Sequence, residues 1–221
     1  MSLIEQTLVA FIVIVRYGLA NTILVSTLAF FLGLALGLIL VFVQVLGGRL
    51  ASSTVDSIVV ILRGIPPVLL LFIIFYGLPS IGIKLNNVVS AIIGLGLISS
   101  AYQSQVLRSS IETVAARQME AALSIGLSKW STYTSVVFPQ ALRLSLPGLI
   151  NEYTIILKDS SLAYAIGVVE AFTQAVHIAQ ARLEYFSPLI AVALIYLLIC
   201  FSLSQIINYI YLKLRVLGYG Q

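Results

Sequence analysis

Metal, redox and phosphate chemistry have almost no residues to work with in this sequence. Cys200 is its one cysteine and His177 its one histidine. A lone cysteine in an apolar run forms no intrachain disulfide and no thiolate metal site, and a single histidine removes the two-histidine metal spacings. No Gly-x-x-x-x-Gly-Lys-Ser/Thr run occurs, and Gly82-Ile83-Lys84 is only a superficial fragment of one. The chain therefore cannot cradle ATP phosphates through a P-loop, and neither a catalytic residue nor a metal site is expected in it. Charge is scarce too. Charged residues make up 9% of the chain, where a soluble domain carries about a quarter. The net charge of +4 comes without a long basic run, so nucleic acid is not an expected partner.

What fills the chain instead is apolar: 60% of residues are hydrophobic and the mean hydropathy is +1.10. A bilayer is the solvent that suits such a surface. Runs long enough to span it lie at 21–46, 55–79, 86–108, 141–159 and 187–212, so the expectation is an all-α integral membrane protein, one domain over 1–221, with five transmembrane helices. Residues 1–17 are too short in their apolar part to span, and read as an interfacial elbow helix ahead of the first run. The stretch 160–186 reads as an external amphipathic segment. Glu170, Gln174, His177 and Ala181 recur there at helical spacing, with Thr173 and Gln180 widening the polar face. A sixth span is the alternative.

Lysine and arginine set an orientation. With the N-terminus outside, the inner side receives Arg49, Arg108, Arg117, Lys129, Arg143, Lys213 and Arg215, and the outer side Arg16, Lys84, Lys158 and Arg182. The inner excess puts the C-terminus and the polar stretch between the third and fourth runs in the cytoplasm.

That polar stretch, 112–138, contains EAALSIGLSKWSTYTSVVFP. Glu112 to Ser124 favours helix, Gly126 suits a left-handed helix stop, Ser128 suits an N-cap, and Pro139 is expected to break the second helix before the fourth span. Two short helices joined at a glycine corner result. The spacing of Glu120, Ala121, Ala122, Gly126, Phe138 and Pro139 resembles the EAA loop of ABC importer permeases. RGIPPVLLLFIIFYGLP at 63–79 and Asn151-Glu152 followed by LKDSSL at 157–162 look like the second and fourth spans of the polar-amino-acid branch of that family. Three places depart from its pattern: Ile65 stands where threonine is usual, Arg117 where glycine is frequent and Phe138 where leucine is usual.

The resemblance implies a type I importer permease fold and a coupling helix. Glu120, Ala121, Ala122, Gly126, Arg117 and Lys129 would form the surface that docks on an ATP-hydrolysing subunit. It implies two ATP-binding subunits carrying ATP and Mg, a second permease chain (identical or related), an extracytoplasmic substrate-binding protein and an amino-acid substrate, basic or glutamine-like.

The residues themselves point to a polar site at membrane depth. A charge at the bilayer centre costs about 2.5–3.5 kcal/mol on insertion scales, yet Glu152 lies within the fourth run and Asp159 follows on the same helical face. Glu152 either attracts a cationic group of the cargo or forms a structural ion pair with Arg63 or Lys158. Arg63 precedes Gly64, Pro66 and Pro67, which break the helix and leave backbone groups free to hold a polar ligand. It either binds a carboxylate or snorkels to the surface. Ser99, Ser100, Tyr102, Gln103 and Ser104 give the third run a polar wall, and of these Gln103 and Ser104 are taken as cargo candidates. Ala29, Gly33 and Gly37 form a small-residue stripe for helix packing. A stand-alone ion-coupled carrier or channel, and a non-transporting membrane scaffold, are the competing readings.

Overall fold

The computed structural model describes residues 2–214, and among them every regular element is helical. Arg215, counted above with the inner cations, lies outside the described residues.

Helix α1 (Leu3–Tyr17) starts on a capping box. Ser2 Oγ accepts from the Glu5 amide, and Glu5 accepts from the Ser2 amide at 2.9 Å. Gly18 separates it from α2 (Leu19–Leu46). Helix α3 (Arg49–Gly64) ends at the paired prolines, and α4 (Pro67–Phe72) begins on the second of them. Pro66 and Pro67 have no amide hydrogen, and Ile65 takes the extended backbone that precedes a proline. The chain consequently turns by 96° between α3 and Pro67–Ile81.

Helix α5 (Asn87–Ser124) runs for 38 residues, about 57 Å at 1.5 Å per residue. That is nearly twice the ~30 Å hydrocarbon thickness of a bilayer, so its second half must project beyond the lipid. The polar island is therefore not a pair of short helices. Its first arm is the end of α5, which continues because no proline or glycine interrupts 97–124. Its second arm, α6 (Lys129–Thr132), passes through a wide turn at Tyr133–Val137 into α7 (Phe138–Asp159). Pro139 does not break this path. It sits in the first turn of α7, where its missing N–H has little to lose.

A tight turn at Ser160–Ile166 leads to α8 (Ala171–Arg182), and α9 (Phe186–Leu214) closes the described chain. The amphipathic expectation for this region needs correction at two residues. Glu170 and Thr173 are not on a wetted face; Glu170 is 0% exposed and Thr173 3%. Glu170 caps α8, accepting from the amides of Phe172 (2.8 Å) and Thr173 (2.6 Å), and its carboxylate also meets Thr173 Oγ1, Thr22 Oγ1 and the Tyr196 hydroxyl. His177, Gln180 and Ala181 do remain exposed. The buried face of α8, Ala171 and Ala175, packs with Ala10 and Ile14 of α1 and Ala191, Val192 and Ile195 of α9.

Among the described residues, α2 and Phe186–Lys213 of α9 are each long and apolar enough to cross a membrane, and up to four spans result if each of two bent helix pairs counts as one. The fifth is α5. Its polar residues Ser99, Ser100, Gln103 and Ser104 lower its apolarity, but all four are buried in the bundle, away from lipid. They lie largely against α2, where the small-residue stripe brings the backbones close. A Cβ on Gly37 would stand 3.1 Å from the Ser100 carbonyl oxygen.

Candidate functional site

The break at Pro66 and the polar wall of α5 meet in one cavity of about 180 Å³. Arg63, Ile65 and Pro67 come from the α3–α4 break, Ser99 and Tyr102 from α5, and Glu152 and Asp159 from α7. The cavity-facing residues Leu95, Ile98, Ser99 and Tyr102 follow the helical i, i+3, i+4, i+7 pattern of one face.

Glu152 is 5% exposed. Its Oε1 accepts from Ser99 Oγ at 3.2 Å, while Oε2 has no hydrogen-bond partner among the described residues and is not sealed within the protein. Ion pairs within 4.0 Å among the described residues are confined to Arg108, so neither Arg63 nor Lys158 neutralises Glu152 at close range. Arg63 is exposed, with its guanidinium carbon 4.7 Å from the centroid of the Tyr102 ring, a cation–π placement that fixes it beside the cavity.

Of the five cargo candidates, the structure thus gathers Glu152, Arg63 and Asp159 around one space. Gln103 and Ser104 do not line it. Gln103 is 0% exposed and donates from Nε2 to the Phe30 carbonyl (3.1 Å) and to Ser99 Oγ (2.8 Å). Ser104 donates to its own helix, at the Ala101 carbonyl. Ser99 and Tyr102, read earlier only as parts of a wall, take the cavity positions.

The other candidate surface is the hairpin. Gly126 has φ +85°, and the amides of Gly126 and Leu127 bond the carbonyls of Leu123 (3.0 Å) and Ala122 (3.2 Å), a Schellman closure of α5. Ser128 Oγ then caps α6 by accepting from the Ser131 amide. Arg117, Glu120, Ala121 and Lys129 are exposed, and Ala122 is buried. Ile125 (78% exposed) and Trp130 (64%) stand out on the same corner, an apolar pair that the residue pattern did not single out. Phe138 packs on Phe42 with ring centroids 4.9 Å apart, which seats the base of the hairpin on α2.

Comparison with known proteins decides the lineage. Residues 29–216 match the family described as binding-protein-dependent transport system inner membrane component. This chain belongs to that family. The permease is 37% identical over 183 residues to the probable amino-acid ABC transporter permease protein YckA of Bacillus subtilis, covering 83% of this chain and 81% of that one. It is 36% identical over 190 residues to the L-cystine transport system permease protein TcyB of the same organism, covering 86% and 81%. Identity to the glutamine transport system permease protein GlnP of Escherichia coli K12 is 31% over 202 residues, covering 90% and 92%. Among solved structures, an amino acid ABC transporter crystallised with histidines matches with a TM-score of 0.84 at 28% identity, over 93% of this chain and 94% of that one. The MetNI methionine ABC transporter matches at 22% identity with a TM-score of 0.66, over 90% and 96%; that likeness speaks for the fold alone. The permease thus has the type I ABC permease fold and is an integral membrane subunit, not an enzyme.

Proposed function

We propose that this permease forms the translocation pathway of an ATP-driven importer for polar or charged amino acids, basic ones or glutamine foremost. One observation carries the reading: a buried, singly hydrogen-bonded carboxylate, Glu152, shares a small cavity with the unpaired guanidinium of Arg63. An α-amino acid carries an ammonium and a carboxylate, and this pair of charges complements both. Neither group has an ionic partner within 4.0 Å among the described residues, which leaves both free to meet cargo. The glutamine and cystine transport permeases among the relatives support an amino-acid cargo.

The chain has no P-loop, so the energy must come from elsewhere. Two ATP-binding subunits, holding ATP and Mg, would dock on the hairpin, where Ile125 and Trp130 offer the kind of exposed apolar patch that marks a protein contact. Glu120, Ala121, Ala122, Gly126, Arg117 and Lys129 would shape that contact. A second permease chain would complete the pathway, and an extracytoplasmic binding protein would deliver the cargo. The lysine and arginine distribution supports a cytoplasmic hairpin and C-terminus with the N-terminus outside.

Co-reconstitution tests this. Permease, ATPase and binding protein in liposomes should accumulate labelled arginine or glutamine only with ATP, and Glu152→Gln should slow uptake. Uptake without the ATPase, or full-rate uptake of every amino acid by Glu152→Gln, would overturn the reading.

A further inference from the structure

Gln103 is buried beside Ser99, yet it does not reach the cavity. Its two amide hydrogens have fixed destinations. One goes to the Phe30 carbonyl on α2 at 3.1 Å, the other to Ser99 Oγ at 2.8 Å. Reversing the amide would set Oε1 against the Phe30 carbonyl oxygen, acceptor facing acceptor, so the carbonyl dictates the orientation. Ser99 Oγ must then accept from Gln103, and its single hydrogen is left to point at Glu152 Oε1, 3.2 Å away. The polarity of the whole row is set from α2.

Two features show that the row carries a cost. Gln103 Oε1 is buried with no hydrogen-bond partner, a penalty that an apolar residue of similar size would avoid. And α2 must supply a glycine at the crossing. A Cβ on Gly33 would stand 2.9 Å from both Gln103 Nε2 and Ser99 Cβ, closer than the row allows.

We infer that Gln103, acting through Ser99, is a positioning residue for Glu152: it fixes the serine hydroxyl as a donor to Oε1 and so holds Oε2 toward the cavity for the ammonium of the cargo. This rests on the proposed amino-acid pathway. It assigns Gln103 an indirect role and adds Gly33 as the residue that makes room for it.

The test is equilibrium binding of labelled L-arginine and L-glutamine to the purified permease–ATPase complex. Six permeases are compared: wild type, Ser99→Ala, Ser99→Thr, Gln103→Leu, the Ser99→Ala/Gln103→Leu double variant and Glu152→Gln. Gln103→Leu should weaken binding by roughly three- to tenfold, the worth of one net hydrogen bond. In the Ser99→Ala background it should add nothing, because the hydroxyl through which it acts is gone. Ser99→Thr should retain binding. Should Gln103→Leu fail to assemble, Gly33→Ala probes the same row with every polar group retained, and should weaken binding in the Ser99 background only. Equal weakening with and without Ser99, or none, overturns the inference while leaving the cargo reading intact. If the wild type binds neither amino acid, or Glu152→Gln binds as the wild type does, the cargo reading falls and takes the inference with it.

Discussion

Arg108 Nη1 lies 2.9 Å from Asp56 Oδ1, joining α5 to α3. The same guanidinium donates from Nε to Glu112 at 2.8 Å, one turn further along α5, and Gln44 of α2 donates to the same Asp56 oxygen. Three helices are tied at one level, on the stretch of α5 that leads from the cavity to the hairpin. Helix α3 has few other anchors; Val55 and Val59 with Ala101 form its buried contact.

Arg108→Ala should loosen this tie without unfolding the protein. The paired side chains are 32% and 50% exposed, and exposed pairs are worth about 0–1 kcal/mol. Thermal unfolding in detergent should show a small drop that shrinks at high salt, where screening removes the pair in the wild type as well. Reversing both charges, Asp56→Arg with Arg108→Asp, should recover part of the loss. A large drop indifferent to salt would assign the contribution to the arginine stem.

Glu170 should prove far less tolerant. It is fully buried and meets donors from α2, α8 and α9. Glu170→Ala leaves the Thr173 amide and the Tyr196 hydroxyl without this acceptor inside the bundle, at about 1–3 kcal/mol for each unsatisfied group. Loss of assembled protein in detergent, or a strongly lowered melting temperature, is the expected result. Glu170→Gln, which keeps one acceptor oxygen, should fall between. An alanine variant as stable as the wild type would remove the network from the fold's support.

The difference between these two sites follows what a sequence can display. Apolar runs and the glycine stop at Gly126 are local properties, so the spans and the hairpin corner were legible. Glu170 was not, because spacing placed it on a polar face while its side chain turns back onto the backbone as a cap, and glutamate is not among the usual capping residues. The end of α5 was misplaced because a change from apolar to polar composition looks like a boundary, although backbone helicity does not require one. Gln103 and Ser99 are neighbours on one helix. Which of them faces the cavity depends on the side from which α2 approaches, a relation between distant segments that no local pattern carries.

Gly126 tests the hairpin. Its φ of +85° lies in the left-handed region, where a side chain costs about 1–2 kcal/mol. An added Cβ would meet nothing within 4 Å, so any effect of Gly126→Ala comes from the backbone and not from a clash. Global stability should change little, since the corner is exposed. The orientation of α6 should change instead, and with it cargo-stimulated ATPase activity in the reconstituted importer. Gly126→Asn should retain more activity than Gly126→Val, because asparagine tolerates this conformation and a β-branched residue does not. Equal activity in all three would show that the corner's geometry does not matter to docking.

Arg63 tests the carboxylate half of the cavity. The Tyr102 ring holds its guanidinium at 4.7 Å, and no acidic group pairs with it within 4.0 Å among the described residues. A guanidinium so placed can meet a carboxylate through two parallel hydrogen bonds, which lysine cannot reproduce. The wild-type complex should therefore bind an amino acid more tightly than its α-amide, by roughly tenfold or more given the worth of a charged hydrogen bond. Arg63→Ala should abolish that preference, and Arg63→Lys should restore it only in part. Tyr102→Leu should weaken it, because the cation is no longer held in place. Binding measured on the acid and the amide side by side separates this from a general loss of affinity, which would lower both equally. An Arg63→Ala complex that still prefers the acid would leave Arg63 as a surface cation and place carboxylate recognition elsewhere in the pathway.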